Sequence, residues 1–102
     1  MHPLVEERLA EIAEVCRRRH VQRLELFGSA AEGRFDPASS DFDFLVQFEA
    51  APPGGLFDAF FGLREDLRGV FGRPVDVVMA RAIRNPYFLE AVNRARTVVY
   101  AA

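Results

Sequence analysis

The chain of 102 residues is half apolar and contains ten phenylalanines, enough to fill one modest core, so we expect a single domain over residues 1–102. A formal net charge of −2 argues against a surface that coats nucleic acid or a membrane, so a partner must be recognised locally. The lone Cys16 cannot form an internal disulfide, no secretion signal follows Met1, and no apolar run approaches the ~18 residues of a membrane span. Together these features predict a protein of the reducing cytoplasm.

The first predicted element is a helix over residues 4–19, where apolar side chains recur every three or four positions and would form one buried face. This helix closes on Arg17, Arg18 and Arg19. Because cations suit the negative end of the helix dipole, the sequence favours a solvated, stabilising role for these arginines over contact with a nucleotide or partner.

A short strand is predicted next, at residues 24–27, and Gly28 ends it. Residues 29–32 read Ser-Ala-Ala-Glu, the form of a capping box, which predicts that a new helix begins there. This helix must be short, because Gly33 and a polar stretch follow it and lead into the strand-like run 41–48.

A second long helix is predicted over residues 56–71, after a loop at 51–55. Phe57 and Phe61 lie beside its apolar stripe and widen it beyond what one small sheet covers. The sequence favours a broad core face for these rings and leaves contact with another subunit or partner as the alternative.

The remaining predicted elements are two strands with a helix between them. Residues 75–79 form an apolar, strand-like run that contains Asp76. Asn85 and Pro86 are a typical N-cap and first helical residue, and residues 97–100 supply a final short strand.

Three carboxylates in these strands form a candidate metal site. Side chains alternate across a strand, so Asp41 and Asp43 are predicted to project to the same side. Two carboxylates at so short a distance repel each other, which raises the pKa of one of them unless a cation neutralises the pair. Oxygen ligands favour magnesium or manganese over zinc. Asp76 is a third acid, in an apolar strand where a buried and unpaired charge is unfavourable, so a shared metal is a suitable partner for it.

A candidate phosphate site lies where the first strand passes into the short helix. Backbone N–H groups at Gly28 and Ser29 are free there, at the positive end of the helix dipole. Read alone, Ser29 is more often a helix cap, and Asp41 more often a solvated loop end. A phosphate site, a paired-carboxylate strand and a third carboxylate together are the parts that a two-metal phosphoryl or nucleotidyl transfer requires.

These motif residues in combination resemble the signature of the nucleotidyltransferase superfamily that shares a palm fold with DNA polymerase beta. They are Gly28, Ser29, Gly33, Ser40, Asp41, Phe42, Asp43 and Asp76. The resemblance covers nearly the whole chain and points to the minimal (MNT) subgroup. It implies an α/β fold in which a mixed sheet is flanked by helices.

The resemblance also implies an activity and a partner. Small proteins of this subgroup are commonly encoded beside a HEPN-domain ribonuclease toxin, and this chain would be the antitoxin that attaches AMP from ATP to a toxin tyrosine. Two magnesium ions, with manganese as the alternative, would support the transfer. The implied metal ligands and catalytic residues are Asp41, Asp43 and Asp76, and the implied nucleotide-binding residues are Gly28, Ser29 and Ser40.

One departure from the family pattern concerns the triphosphate. Many relatives carry a basic residue in the stretch after Gly-Ser, where this chain has Ala-Ala-Glu at 30–32. Arg34 is a candidate substitute because its forked guanidinium suits phosphate, although an exposed loop arginine is more often solvated.

If one site gathers these residues, the strand at 24–27 must run antiparallel to the strands that carry Asp41 and Asp76. Two other functions remain open. The fold could act as a non-catalytic module that neutralises a toxin or holds a nucleotide by complex formation. It could also transfer a nucleotide to a small molecule or RNA end with a partner subunit, and homo- and hetero-oligomers are both compatible with the sequence.

The two histidines and the cysteine do not build a rival site. His2 lies near a terminus expected to fray, His20 follows the arginine run, and neither has metal-ligand spacing with Cys16. All three are interpreted as incidental.

Overall fold

The computed structural model describes residues 2–36 and 41–102 of the chain. The strands are β1 (Val21–Phe27), β2 (Phe42–Phe48), β3 (Val75–Met79) and β4 (Thr97–Ala101). They form one sheet in the order β3-β2-β1-β4, in which β1 is antiparallel to β2 and β4 while β2 is parallel to β3. The predicted direction of the first strand relative to the next two is confirmed. Ser40, predicted to bind nucleotide, lies outside the described residues.

Five α-helices and one 3-10 turn accompany the described strands. The helices are α1 (Pro3–Glu6), α2 (Leu9–Arg18), α3 (Ser29–Glu32), α4 (Leu56–Phe71) and α5 (Pro86–Asn93), and the 3-10 turn is Ala80–Ala82. Parallel strands need a crossover connection, which α4 provides between β2 and β3. The predicted mixed α/β architecture, a sheet flanked by helices, is confirmed.

The two faces of the sheet differ in chemistry. One face packs against α2 and α4 and forms the main core, which includes Leu24, Leu26, Phe42, Phe44, Val46, Ile12, Cys16, Leu63 and Leu67. The opposite face carries Glu25, Phe27, Asp43 and Leu45, because side chains alternate along β1 and β2. Val92 of α5 packs on Phe27 and Leu45 and covers the middle of this second face.

The first predicted helix is in fact two helices. Arg8, at the junction between α1 and α2, leaves helical geometry with φ −110° and ψ 10°. Val5 and Ile12 are nevertheless both fully buried in the same core. The spacing of apolar residues indicates which face of a segment is buried. A break in the helix that keeps the same face buried therefore does not change the spacing.

The arginines at the end of α2 stabilise the fold by pairing rather than by solvation alone. Arg18 and Arg19 donate to Asp66 of α4 at 3.2 and 2.7 Å, and the hydrogen bond from Arg19 is the main cause of a lowered Asp66 pKa. Arg17 pairs with Glu14 one turn earlier at 3.2 Å. Two of the three arginines therefore join α2 to α4.

The core-face interpretation is wrong for two rings of α4. Phe57 is 76% exposed and Phe61 is 40% exposed. The buried side of the helix runs through Ala59 and Leu63, and two residues along a helix correspond to about 200° of rotation, which turns both rings away from the sheet.

His2 has a structural role that the sequence did not indicate. Its Nδ1 accepts a hydrogen bond from the Leu4 N–H at 3.1 Å and caps α1. Its ring also contacts Phe35 and Phe42 edge-on, with centroids 4.6 and 5.7 Å apart. The interpretation of His2 as part of a frayed end is therefore wrong.

The elements predicted for the second half of the chain are confirmed. Helix α4 and strand β3 have the predicted bounds, and β4 extends one residue further. Asn85 caps α5 by accepting a hydrogen bond from the Tyr87 N–H at 2.9 Å, with Pro86 as the first helical residue. Within the ranges described, no helix combines the length and the apolar character needed to cross a membrane.

Candidate active site

The carboxyl end of β1 and the amino ends of β2 and β3 meet at one edge of the sheet. Phe27 is paired with Asp43, and Asp43 is paired in turn with Asp76. Neighbouring strands lie about 4.8 Å apart, so Asp43 and Asp76 stand side by side on the same face. Asp41 directly precedes β2, which begins at Phe42 rather than at residue 41 as predicted.

Asp43 is the electrostatic centre of this edge. Its side chain is half-buried, and burial raises the pKa of the Asp43 carboxyl to about 6, with the negative charges of Asp76 and then Asp41 raising it further. The three predicted acids therefore influence one another. Asp41 and Asp76 are both exposed, so the unfavourable burial expected for Asp76 applies to Asp43 instead.

Over residues 2–36 and 41–102, no cation pairs with the acids at this edge. In the described segments, none of the three carboxylates forms an ion pair with an arginine or histidine. No three acidic, histidine or cysteine side chains of those segments converge as a preassembled metal-binding cluster. Burial is the main cause of the raised pKa of Asp43, and repulsion from Asp76 and Asp41, which no cation offsets, raises it further. This all-oxygen set of acids therefore fits a hard divalent cation such as magnesium.

Gly28 lies in the turn after β1, close to Asp43. Its backbone has φ 72° and ψ −154°, a conformation available essentially to glycine alone. A Cβ atom at this position would collide with the carboxylate of Asp43. Glycine at this position therefore leaves room for the half-buried carboxylate of Asp43.

The capping-box prediction for α3 is wrong. Gly28 is the cap residue, and Ser29 is already the first residue of the helix and makes no side-chain cap bond. Ala31 and Glu32 donate their N–H groups to the Gly28 carbonyl at 3.1 and 3.0 Å. In the described structure this leaves the N–H groups of Ser29 and Ala30 without a backbone acceptor, at the end of β1 beside Asp43.

A buried ion pair lies one row further along the same face, and the sequence analysis missed it. Glu25 is 6% exposed and accepts hydrogen bonds from Arg96 at 2.7 and 3.0 Å and from Arg23 at 3.1 Å. The hydrogen bonds from Arg96 are the main cause of the lowered pKa of Glu25. The available signal was an acid between two leucines of a strand, the same signal that singled out Asp76.

A cavity of about 780 Å³ lies away from this chemistry. It opens at the carboxyl ends of β2 and β3, the opposite end from the acids, with Phe48, Met79 and Leu56 in its walls. Glu49 is its only carboxylate among the described residues. Unbalanced charge marks the candidate site better than cavity volume does.

The chain is similar to known proteins over most of its length. Residues 9–99 match the family described as Nucleotidyltransferase domain. The protein named Putative protein adenylyltransferase MJ0128, from Methanocaldococcus jannaschii, is 34% identical over 73 residues, which are 72% of this chain and 70% of that protein.

Solved structures show the same fold. The structure of a protein described as a putative minimal nucleotidyltransferase matches with a TM-score of 0.74 and 31% identity over 94% of both chains. A chain from the structure of the tri-AMPylated Shewanella oneidensis HEPN toxin in complex with MNT antitoxin matches with a TM-score of 0.64 at 18% identity, over 96% of this chain and 73% of that chain. The latter likeness establishes a shared fold.

The matched segment includes the turn at Gly28 and the row of Asp43 and Asp76. Its sheet order and strand directions also agree with the architecture that the motif residues implied. From the family match, the identity with its relative and the common fold, we conclude that the chain belongs to the nucleotidyltransferase domain family.

Proposed function

We propose that this protein is a minimal nucleotidyltransferase that transfers AMP from ATP to a tyrosine hydroxyl of a HEPN-domain toxin, and that it thereby acts as the antitoxin. The observation that carries the proposal is the half-buried Asp43, whose pKa is raised to about 6 beside Asp41 and Asp76. A relative named as a protein adenylyltransferase and a fold neighbour from a complex with a tri-AMPylated HEPN toxin support the choice of a protein acceptor.

Asp41, Asp43 and Asp76 are the groups that would hold two magnesium ions, or manganese in their place. Ions bound there would neutralise the triphosphate, polarise the α-phosphorus and lower the pKa of the attacking hydroxyl. Asp43 would contribute the half-buried carboxylate of the set, whose pKa is raised by burial and by the neighbouring acids. Asp76 is exposed beside it and would accept the proton of the incoming hydroxyl.

The phosphates of ATP would lie against the turn between β1 and α3. The N–H groups of Ser29 and Ala30 would donate hydrogen bonds there, and Gly28 would allow close approach of the phosphates. The Ser29 hydroxyl would donate to the leaving pyrophosphate. Ser40, which precedes Asp41 in the chain, is also proposed to contact the nucleotide.

The accessibility of the acids supports a macromolecular acceptor. Asp41 and Asp76 are exposed at the edge of the sheet, so an acceptor can bring its own surface to the site. A tyrosine on a protein partner meets this requirement with no added substrate pocket. We propose the cytoplasm, where ATP is available and where Cys16 would stay a free thiol, as the place of action.

Intact-mass spectrometry of the neighbouring gene's protein product, after incubation with this protein, ATP and magnesium, tests the proposal. We expect the wild-type protein to add one or more AMP units and the Asp43→Asn variant to be at least about 100-fold slower, because the altered group acts directly on transition-state charge. Asp58→Asn is the matched control, since Asp58 is an exposed aspartate of α4 outside the site. It should retain wild-type transfer.

Three results would count against the proposal in different ways. A stable complex without any mass gain would favour the non-catalytic antitoxin. Mass gain on an RNA end or small molecule, but not on the protein, would favour the third function. Equal transfer by wild type and Asp43→Asn would reject the assigned site.

A further inference from the structure

Glu32 is a charged residue in an unusual position at the end of α3. Its side chain is only 13% exposed. Glu32 stands four residues after Gly28, which corresponds to about 6 Å along a helix. Glu32 therefore ends the same short helix that begins at the turn proposed to hold the phosphates.

The two oxygens of Glu32 face two different arginines. Oε2 accepts a hydrogen bond from Nη2 of Arg34 at 2.8 Å, and Oε1 lies 3.9 Å from Nη1 of Arg94, an ion pair without a hydrogen bond. Arg34 follows α3, whereas Arg94 is the residue that ends α5. One carboxylate thus brings together two cations that are distant in sequence.

The arginines keep most of their binding capacity. Both side chains are 62% exposed, against 13% for the glutamate between them. A guanidinium has five N–H donors, so one contact to Glu32 leaves several for another ligand. One carboxylate with two guanidiniums carries a net charge of about +1. This cationic group therefore lies on the α3 side of the site, and the acids lie on the strand side.

An exposed ion pair of this kind often has no function beyond a stability contribution of about 0–1 kcal/mol. A pair that only contributes stability does not require a second arginine or a largely buried carboxylate. Phosphate groups are recognised by forked, bidentate guanidinium contacts, which improve when the guanidinium is held in place. The placement of Arg34 and Arg94 meets this requirement.

We propose that Glu32 is a positioning residue that holds Arg34 and Arg94 as a two-arginine clamp for the terminal phosphates of the nucleoside triphosphate. The inference rests on the proposed function, because it takes its ligand from there. It also explains how the chain binds the triphosphate without a basic residue in the Ala-Ala-Glu stretch that follows Gly-Ser. The positive charge comes from two arginines outside that stretch, and the glutamate orients them.

Calorimetric titration of the full protein with ATP in the presence of magnesium, with adenosine as the comparison ligand, tests the clamp. Glu32→Gln should weaken ATP binding roughly tenfold, the equivalent of one charge-assisted hydrogen bond, and leave adenosine binding unchanged. Glu32→Asp should recover part of the loss because it restores the carboxylate. Glu11→Gln is the matched control, since it removes the same charge from the exposed Arg8–Glu11 pair.

The sign of the effect separates positioning from simple electrostatics. If Glu32 contributed only its negative charge, its neutralisation would strengthen the binding of an anion. Unchanged or tighter ATP binding by Glu32→Gln would therefore overturn the clamp. In steady-state transfer assays, the clamp predicts a raised KM for ATP with kcat largely kept.

Two further comparisons keep the outcomes distinct. If Glu32→Gln unfolds, Arg34→Gln and Arg94→Gln replace it, and each must weaken ATP binding more than adenosine binding for the clamp to stand. If wild type binds ATP through the clamp but transfers nothing, the proposed function fails alone. If wild type transfers AMP and the arginine variants bind ATP normally, the clamp fails alone.

Discussion

Glu25 and Asp43 are carboxylates on the same face of the sheet, on neighbouring strands and two pairing positions apart. Both lose contact with water, yet their pKa values move in opposite directions. Hydrogen bonds from Arg96, and then from Arg23, lower the pKa of Glu25 against the effect of its burial. Burial raises the pKa of Asp43 to about 6, and the charges of Asp76 and Asp41 act in the same direction.

The difference distinguishes an acid that stabilises the fold from an acid that is available to bind a ligand. Glu25 receives arginines from β1 and from the segment before β4, so its charge is satisfied within the protein. Asp43 faces other acids, so its charge is left for a ligand. Burial alone would not distinguish the two residues, whereas the sign of the neighbouring charges does. Three substitutions test this contrast, and we take them in order of decreasing effect on the free energy of unfolding.

Gly28→Ala should have the largest effect because it crowds Asp43 and spares Glu25. Alanine adds strain at a positive φ and places a Cβ against the Asp43 carboxylate, so we expect a loss of about 3 kcal/mol in the free energy of unfolding. Gly33→Ala is the matched control, since Gly33 also has positive φ but no atom lies near its added Cβ. Urea denaturation measures both variants. Equal losses would mean that contact with Asp43 contributes nothing.

Glu25→Gln should come next, with a loss of about 2 kcal/mol at neutral pH. The substitution keeps the shape of the side chain but leaves Arg96 facing a neutral amide in a position where its partner is buried. The effect on AMP transfer should be small in comparison, because Glu25 is not among the acids of the site. A large loss of transfer in a well-folded Glu25→Gln protein would contradict the separation of roles.

The sequence predicted how the candidate acids are placed in the sheet because the determinants of that placement are local. Alternation along a strand is sufficient to place Asp43 on the face opposite Phe42 and Phe44. The Asn85 cap and the bounds of α4 likewise depend on neighbours within a few positions. For such features the chemistry of a short segment decides the structure.

The features that the sequence did not predict depend on backbone geometry or on distant partners. Gly28 rather than Ser29 caps α3 because the chain turns through a positive φ, which side-chain chemistry does not reveal. The partner of Glu25 is Arg96, which lies 71 positions away. The exposure of Phe57 depends on which side of α4 faces the sheet, and the stripe of apolar residues was too wide to settle that.

Asp43→Asn should have the smallest effect on the free energy of unfolding, and the effect has the opposite sign. In the absence of divalent cations the variant should be more stable than wild type. A carboxyl whose pKa rises from its ordinary value of 3.8 to about 6 on folding destabilises the folded state when it is ionised. This penalty is absent below the unfolded pKa, grows between about pH 4 and 6, and is complete above the folded pKa. Because Asp43 is only half-buried, solvent screening reduces the expected gain for Asp43→Asn to about 1 kcal/mol at pH 7.

The pH dependence of that gain distinguishes Asp43 from Glu25. The difference in unfolding free energy between Asp43→Asn and wild type should vanish below about pH 3, where the Asp43 side chain is neutral in both the folded and the unfolded state. The Glu25 contribution has the opposite sign, because its lowered pKa makes it stabilising above the unfolded pKa and lost as pH falls through the folded one. Magnesium should stabilise wild type and not Asp43→Asn, since a ligand that binds the folded state alone shifts its stability by mass action. If Asp43→Asn is instead less stable than wild type at pH 7 without magnesium, the charge of Asp43 is stabilised within the protein, as the charge of Glu25 is. The contrast between the two residues would then be rejected.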